Sequence, residues 1–365
     1  MKVLVVTGSS GGHIFPALGF LDTLKEKSKA LEVFLLLPKK NLELHLENSG
    51  YQVQYLGVSS PSKKLSLENF AKLAHFLRAS VLCAKILLRF NPDVVVGFGS
   101  LTSLPAVSLA WLMRISTVIH EQNVVPGRAN RLLAYFADKT AISFPQTRDY
   151  LKISPKRIVL TGNPLRKEIF RVEKEEALRF FGFSRDKLTI LIMGGSQASE
   201  RINAAFLKAV IDIPQKNNLQ VIHLAGKKDF SRLEEEYKKA GILARVFAFL
   251  EEMRYAYSAA DLAVSRAGAV SISELIFFKL PGIIIPYPYA YQHQLKNARV
   301  LEKDNLAIII EESKLDSGVL KNTMEALLSS PERLAEMRRS YEGKTMNHGN
   351  ELLAEEVISL AAYEN

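Results

Sequence analysis

The stretch Met1-Lys2-Val3-Leu4-Val5-Val6-Thr7-Gly8-Ser9-Ser10-Gly11-Gly12-His13 decides the fold. Val3 to Val6 is an unbroken apolar run, the texture of a strand buried on both faces of a parallel sheet. A glycine-rich turn follows and opens a helix. The same alternation continues along the chain. Val33–Leu37, Val53–Leu56, Val94–Gly97, Thr117–His120, Thr140–Ile142 and Ile158–Thr161 read as further strands. Between them lie helical patterns such as Phe70, Leu73, Leu77, Val81, Ala84 and Leu88, at steps of three or four. A second series of strands, Leu188–Met193, Val221–Leu224, Val246–Phe247, Leu262–Ser265, Gly282–Ile285 and Ala307–Ile310, follows Asn163-Pro164. This α/β pattern predicts two doubly wound parallel sheets. The expected domains are residues 1–162 and 163–340, the second opening with a charged helix over 171–186. Residues 341–365 form a last helix that returns to pack on the first domain.

Length and composition set outer bounds. The chain has 365 residues, 48% of them apolar and 24% charged, which excludes disordered, collagen-like and coiled-coil readings. Cys83 is the only cysteine, so no intramolecular disulfide or cysteine-based zinc site can form, and a reducing compartment fits. The amino-terminal strand lacks the pattern of a signal peptide, and no stretch reaches the ~18 uninterrupted apolar residues of a membrane span. The formal charge of +10 is unevenly placed. Residues 1–162 hold 20 Lys and Arg against 10 Asp and Glu, whereas the remainder holds 28 of each. One lopsided domain suggests a polyanionic partner, either nucleic acid or an anionic membrane.

Polar loops cluster where strands end. Bare backbone N–H groups and a helix N-terminus at Gly8–Gly12 suit an anion. The spacing is neither GxGxxG nor a Walker motif, so a P-loop NTPase is excluded and the ordinary NAD fingerprint is missing. His13 stands at the mouth of that turn. Gly97-Phe98-Gly99-Ser100 and His120-Glu121-Gln122-Asn123 follow two other strands of the first sheet. Gly194-Gly195-Ser196-Gln197 and Ser265-Arg266-Ala267-Gly268 do the same in the second. Open α/β sheets bind ligands at this edge. The two sets of loops are expected to face each other across a cleft, with Glu274 placed to accept the two hydroxyls of a ribose.

In this order, and together with Gly162-Asn163-Pro164-Leu165-Arg166 and His293-Gln294, these motifs resemble the MurG family, the N-acetylglucosaminyltransferases of bacterial peptidoglycan synthesis. The resemblance spans residues 8–298. It implies a GT-B fold, UDP-N-acetylglucosamine as donor in the C-terminal half and lipid I, the polyprenyl-linked muramoyl-pentapeptide, as acceptor on the N-terminal half. By the same resemblance, Ser10, Gly11 and Gly12 border the donor diphosphate, Arg166 and Ser196 hold it, and Asn123 and Gln294 reach the sugar. Leu250 meets uracil through its backbone. Ala269, Val270, Ser271, Ile272, Ser273 and Glu274 wrap the nucleotide. Two departures stand out: Ala198-Ser199 where the family usually has Gly-Ala, and Ser9-Ser10 where Gly-Thr is common.

An inverting transfer needs a base for the acceptor hydroxyl, for which His13 is the first candidate and Glu121 the second, as base or orienting partner. The absence of a clustered Asp pair predicts metal independence, and no cofactor is expected. A polyprenyl acceptor requires docking on the cytoplasmic face of the bacterial cell membrane as a peripheral protein. Lys72, Phe76, Arg78, Lys85 and Arg89 are expected to supply the contact with the anionic surface. A cell-wall synthesis complex is a further implied partner, and nucleic acid is disfavoured because no recognition motif accompanies the basic segment. The rival functions are a GT-B diacylglycerol glycosyltransferase, a UDP-N-acetylglucosamine 2-epimerase and a non-catalytic nucleotide-sugar sensor.

Overall fold

A computed structural model of the chain describes residues 1–28, 30–38, 50–57, 67–195, 198–289, 293–343 and 349–362. It separates into two compact units, one of residues 1–167 with 347–365, the other of residues 168–346.

The first unit carries strands β1 (Lys2–Val6), β2 (Glu32–Pro38), β3 (Gln52–Leu56), β4 (Val94–Gly97), β5 (Ser116–Glu121), β6 (Lys139–Ile142) and β7 (Ile158–Leu160). They form one sheet in the order β3-β2-β1-β4-β5-β6-β7, parallel throughout. Helices α1 (Gly11–Lys27), α2 (Leu67–Phe90), α3 (Ser103–Leu112) and α4 (Arg128–Leu133) cross between strands. Val3 to Val6 are fully buried, as an apolar run covered on both faces requires.

The second unit repeats the plan. Its strands are β8 (Leu188–Met193), β9 (Leu219–Leu224), β10 (Leu243–Phe247), β11 (Leu262–Ser265), β12 (Gly282–Ile284) and β13 (Ala307–Ile309), ordered β10-β9-β8-β11-β12-β13 and again all parallel. The accompanying helices are α5 (Lys174–Phe181), α6 (Glu200–Asp212), α7 (Phe230–Lys239), α8 (Met253–Ala259), α9 (Ala269–Phe278), α10 (His293–Lys303), α11 (Ser317–Leu328) and α12 (Pro331–Arg339). The charged opening helix is shorter than the expected 171–186. Gly182, at φ 66°, closes it in the left-handed conformation that glycine adopts without strain.

Chain order reverses between β1 and β4 in one sheet and between β8 and β11 in the other. Ligands of open α/β sheets bind at such switch points, beyond the strands' carboxyl ends. The glycine turns at Gly8–Gly12, Gly97–Ser100, Gly194–Gly195 and Ser265–Gly268 follow those four strands.

The last helix, α13 (Gly349–Ala362), belongs to the first unit. Leu353, Ala354, Val357 and Ala361 share a buried cluster with Val3, Val5, Phe20 and Leu24. Lys27 pairs with Glu355 at 2.9 Å and Lys139 with Glu356 at 3.2 Å. The units divide at 167/168 rather than at 162/163, because the segment after β7 still packs on α1. Asn350 stitches it there. Its Oδ1 accepts from the Leu165 N–H at 2.6 Å, and its Nδ2 donates to Leu165 O at 2.7 Å and Gly19 O at 3.0 Å.

Gly19 permits this approach: a Cβ there would sit 2.2 Å from Leu165 O, a backbone atom. Gly19→Ala should therefore force the segment off α1 and cost about 1–3 kcal/mol, as overpacking does. Thermal unfolding reads the loss as a lowered midpoint. An unchanged midpoint would contradict the close crossing.

Candidate active site

In the first unit, the turn after β1 delivers His13 into a slot built by glycines. A Cβ on Gly8 would lie 2.6 Å from His13 Cδ2, and one on Gly99 would lie 3.3 Å from Cε1. Only residues without side chains leave room for the ring. His13 Nδ1 meets Gln122 Oε1 at 3.1 Å, and among the described residues Nε2 has no hydrogen-bond partner. The N-terminus of α1 beside it is bare. Ser10 makes no side-chain cap, and no acidic residue lies in the first turn, so the N–H groups of Gly11 and Gly12 keep their partial positive charge for a ligand.

Glu121 is placed differently from a poised base. It is buried at the end of β5, and both carboxylate oxygens are occupied. Oε1 accepts from Asn123 N at 2.9 Å and Asn123 Nδ2 at 3.2 Å. Oε2 accepts from Gly127 N at 3.0 Å and Asn130 Nδ2 at 2.9 Å. Four donors on one carboxylate pull residues 121–130 into a fixed turn. All four bonds fix the turn that carries Asn123. Asn123, held by that carboxylate, is thereby given a set direction.

Arg166 lies on the segment that Asn350 secures, its guanidinium 4.4 Å from the centre of the Phe15 ring. Its buried Nε has no partner among the described residues, which leaves donor capacity for an anion.

In the second unit, Glu274 is buried on α9, and Tyr257 on α8 donates its hydroxyl to Oε2 at 2.6 Å. Tyr257 in turn stacks on Phe278, with centroids 4.9 Å apart. This anchor carries no signal in the sequence, since it joins different helices and belongs to no motif. Helix α9 starts at Gly268 with no side-chain cap and no acid in its first turn. Of the six residues expected to wrap a nucleotide, Ile272 is fully buried and Ser273 turns its hydroxyl back to Ala269 O at 2.9 Å. These two present their backbone rather than their side chains at the start of α9. Gln294 Oε1 accepts from Ala267 N at 3.1 Å and Tyr287 N at 2.9 Å, clamping two loops and leaving its amide N–H groups as donors. Leu250 is a buried side chain in the loop after β10, and its backbone groups make no hydrogen bond among the described residues. Ser196 lies outside the described residues.

Two family models match the chain, the glycosyltransferase family 28 N-terminal domain over residues 3–142 and the family 28 C-terminal domain over residues 189–353. Curated relatives include UDP-N-acetylglucosamine–N-acetylmuramyl-(pentapeptide) pyrophosphoryl-undecaprenol N-acetylglucosamine transferases. That of Halothermothrix orenii is 36% identical, covering 93% of this chain and 94% of the relative. That of Thermodesulfovibrio yellowstonii is 35% identical, covering 99% and 98%. The chain belongs to the MurG family. It is a glycosyltransferase of GT-B fold. A crystal structure of MurG from Acinetobacter baumannii superposes with a TM-score of 0.77 at 24% identity, covering 98% of this chain and all of that one. A UDP-GlcNAc 2-epimerase from Neisseria meningitidis shares the fold at a TM-score of 0.68 and 14% identity, covering 98% of this chain and all of that one.

One departure from the MurG pattern acquires a physical meaning. Ala198 holds a left-handed φ of 55°, which explains why glycine is usual in the family at this point. Ser199 gains a use: its Oγ accepts from Ile202 N to cap α6 and from Arg266 at 2.9 Å. At the first turn, Ser10 keeps a hydroxyl, and it is exposed.

The surface of α2 also sorts its residues. At 100° per residue, Leu73, Leu77, Val81 and Leu88 fall within roughly 80° of arc, and each is 54–70% exposed. Arg78, Lys85 and Arg89 form an exposed stripe beside them. Phe76 instead lies on the side of Cys83 and Leu87, half-buried, as does Lys72. Those two therefore stand off the exposed stripes. Trp111, Leu112 and Met113 at the end of α3 are exposed as well. Among the described residues, no helix is long and apolar enough to cross a membrane.

Proposed function

We propose that the protein transfers N-acetylglucosamine from UDP-N-acetylglucosamine to the 4-hydroxyl of the muramoyl sugar of lipid I, giving lipid II and UDP with inversion at C1. The observation that carries the reading is His13, locked between Gly8 and Gly99 with Nδ1 engaged and Nε2 open. The activity of the curated relatives supplies donor and acceptor.

In this reading His13 Nε2 takes the proton of the acceptor hydroxyl as its oxygen bonds to C1 of the donor sugar. The C1–O bond to the diphosphate breaks, and UDP leaves with the electron pair. The imidazolium then returns its proton to solvent. Charge gathering on the diphosphate is met by Arg166 and by the uncapped N-terminus of α1, and by no divalent ion. Glu121 positions Asn123 for the transferred sugar and takes no proton. Glu274, oriented by Tyr257, accepts the ribose hydroxyls, the α9 backbone and Leu250 hold the uridine, and Gln294 donates to the sugar. Ser10 and Ser196 are assigned to the diphosphate.

The exposed apolar stripe of α2, flanked by Arg78, Lys85 and Arg89, lies on the cytoplasmic leaflet, where the polyprenyl acceptor resides. The protein is peripheral in this reading.

The donor half is tested apart from catalysis. Glu274→Gln replaces a charged acceptor with a neutral amide and should weaken UDP binding by ~10–100-fold, the worth of charged hydrogen bonds. Calorimetric titration reads the change, and affinity within twofold of the parent would remove Glu274 from the ribose.

A further inference from the structure

A chain of groups runs from a backbone carbonyl to the ring of His13. His120, fully buried on β5, meets Gly162 O at 3.0 Å through Nε2. A carbonyl only accepts, so Nε2 carries the proton. Burial holds this imidazole down to about 4, so it is neutral near pH 7 and its Nδ1 is a lone pair. Gln122 stands 3.1 Å from that Nδ1 and must present its amide nitrogen. Two further acceptors agree, for the same nitrogen lies 3.3 Å from Phe98 O and 3.2 Å from His120 O. Turned the other way, the Gln122 oxygen would face three acceptors and be repelled by each. Gln122 Oε1 is thereby left facing His13 Nδ1 at 3.1 Å, and only a proton on Nδ1 makes that contact a hydrogen bond. Flipping the His13 ring would put a carbon against the amide oxygen. Every donor and acceptor in the series is assigned by the carbonyls at its end.

We propose that Gln122 and His120 are positioning residues that hold the proton of His13 on Nδ1, keeping its Nε2 lone pair for the acceptor hydroxyl; the use of that lone pair rests on the reading of His13 as the base. Neither residue need touch substrate. Free neutral imidazole favours the opposite tautomer, with the proton on Nε2, which could not accept one. The amide at 122 prevents that loss, as the orienting group of a catalytic triad does for its histidine.

The test begins with the unmodified full chain. Long-range proton–nitrogen correlation spectra of protein labelled with 15N-histidine distinguish the two tautomers for each of the seven histidines, and the signals of His13 and His120 are assigned by their loss in single replacements. The expected spectrum has His13 protonated on Nδ1 and His120 on Nε2. A wild-type His13 protonated on Nε2 overturns the proposal without recourse to any variant. Gln122→Met, similar in size but unable to accept from nitrogen, should shift His13 toward the Nε2–H form. It should lower kcat by ~10–100-fold, part of the worth of a base, with KM for UDP-N-acetylglucosamine within about twofold. An unshifted tautomer in Gln122→Met, or a KM for UDP-N-acetylglucosamine that rises in step with the fall in kcat, overturns the relay. The base reading fails separately: a His13→Ala protein with undiminished turnover sinks it while the tautomer result stands.

Discussion

His13→Ala lowers kcat by about 10²–10⁴-fold, the range a positioned general base contributes, while affinity for UDP stays within about twofold. The asymmetry follows from where the residue sits. His13 lies in the first unit, on the loop after β1, whereas the groups assigned to uridine, Glu274, Tyr257 and the α9 backbone, lie in the second. Removing the imidazole leaves the latter untouched. It also opens a slot between Gly8 and Gly99, so the fold loses a contact rather than gaining a clash. Single-turnover kinetics separate chemistry from product release, and titration with UDP reads binding. A variant that binds UDP a hundredfold more weakly would move His13 from proton transfer to donor binding.

Reversing three charges on α2 has the second large effect. Arg78→Glu, Lys85→Glu and Arg89→Glu together remove three attractions of about 1 kcal/mol each to an anionic surface and add repulsions of similar size. The combined change is on the order of 3–6 kcal/mol, or 10²–10⁴-fold in partitioning onto vesicles containing phosphatidylglycerol. All three side chains are exposed, so folding should be preserved, which thermal unfolding checks. Transfer to a short-chain, water-soluble acceptor should be unaffected, because none of the three belongs to the site around His13. Undiminished vesicle binding would place the docking face elsewhere. The neighbouring apolar residues, Leu73, Leu77, Val81 and Leu88, then become surface exposure without a partner.

The parts of the molecule legible in the sequence are those carried by local pattern. Val3 to Val6, and runs like it, announce strands because burial on both faces leaves no room for polar alternation. The glycine turns announce themselves because a strand ending on Gly8 or Gly97 has few other uses. His13 and Glu121 are visible as polar residues at such ends, but their division of labour is not. Four donors fill Glu121, and two of them, Gly127 and Asn130, come from the start of the next helix. Gln122 is 109 residues from His13, and Asn350 is 185 from the backbone it secures. Contacts at such separation leave no periodic trace, and only the folded chain reveals them. The same holds for Phe76, whose helical phase puts it on the side of Cys83 and Leu87 although its neighbourhood in sequence is uniformly basic and apolar.

One incubation reads the reaction itself. The protein is given radiolabelled UDP-N-acetylglucosamine with a lipid I analogue, with diacylglycerol, or with no acceptor, and the products are separated and sequenced by glycosidase digestion. Label appearing only with the muramoyl acceptor, in a β-1,4 disaccharide with stoichiometric UDP, is the predicted result. Label on diacylglycerol, or a donor epimerised at C2 without any acceptor, would contradict it.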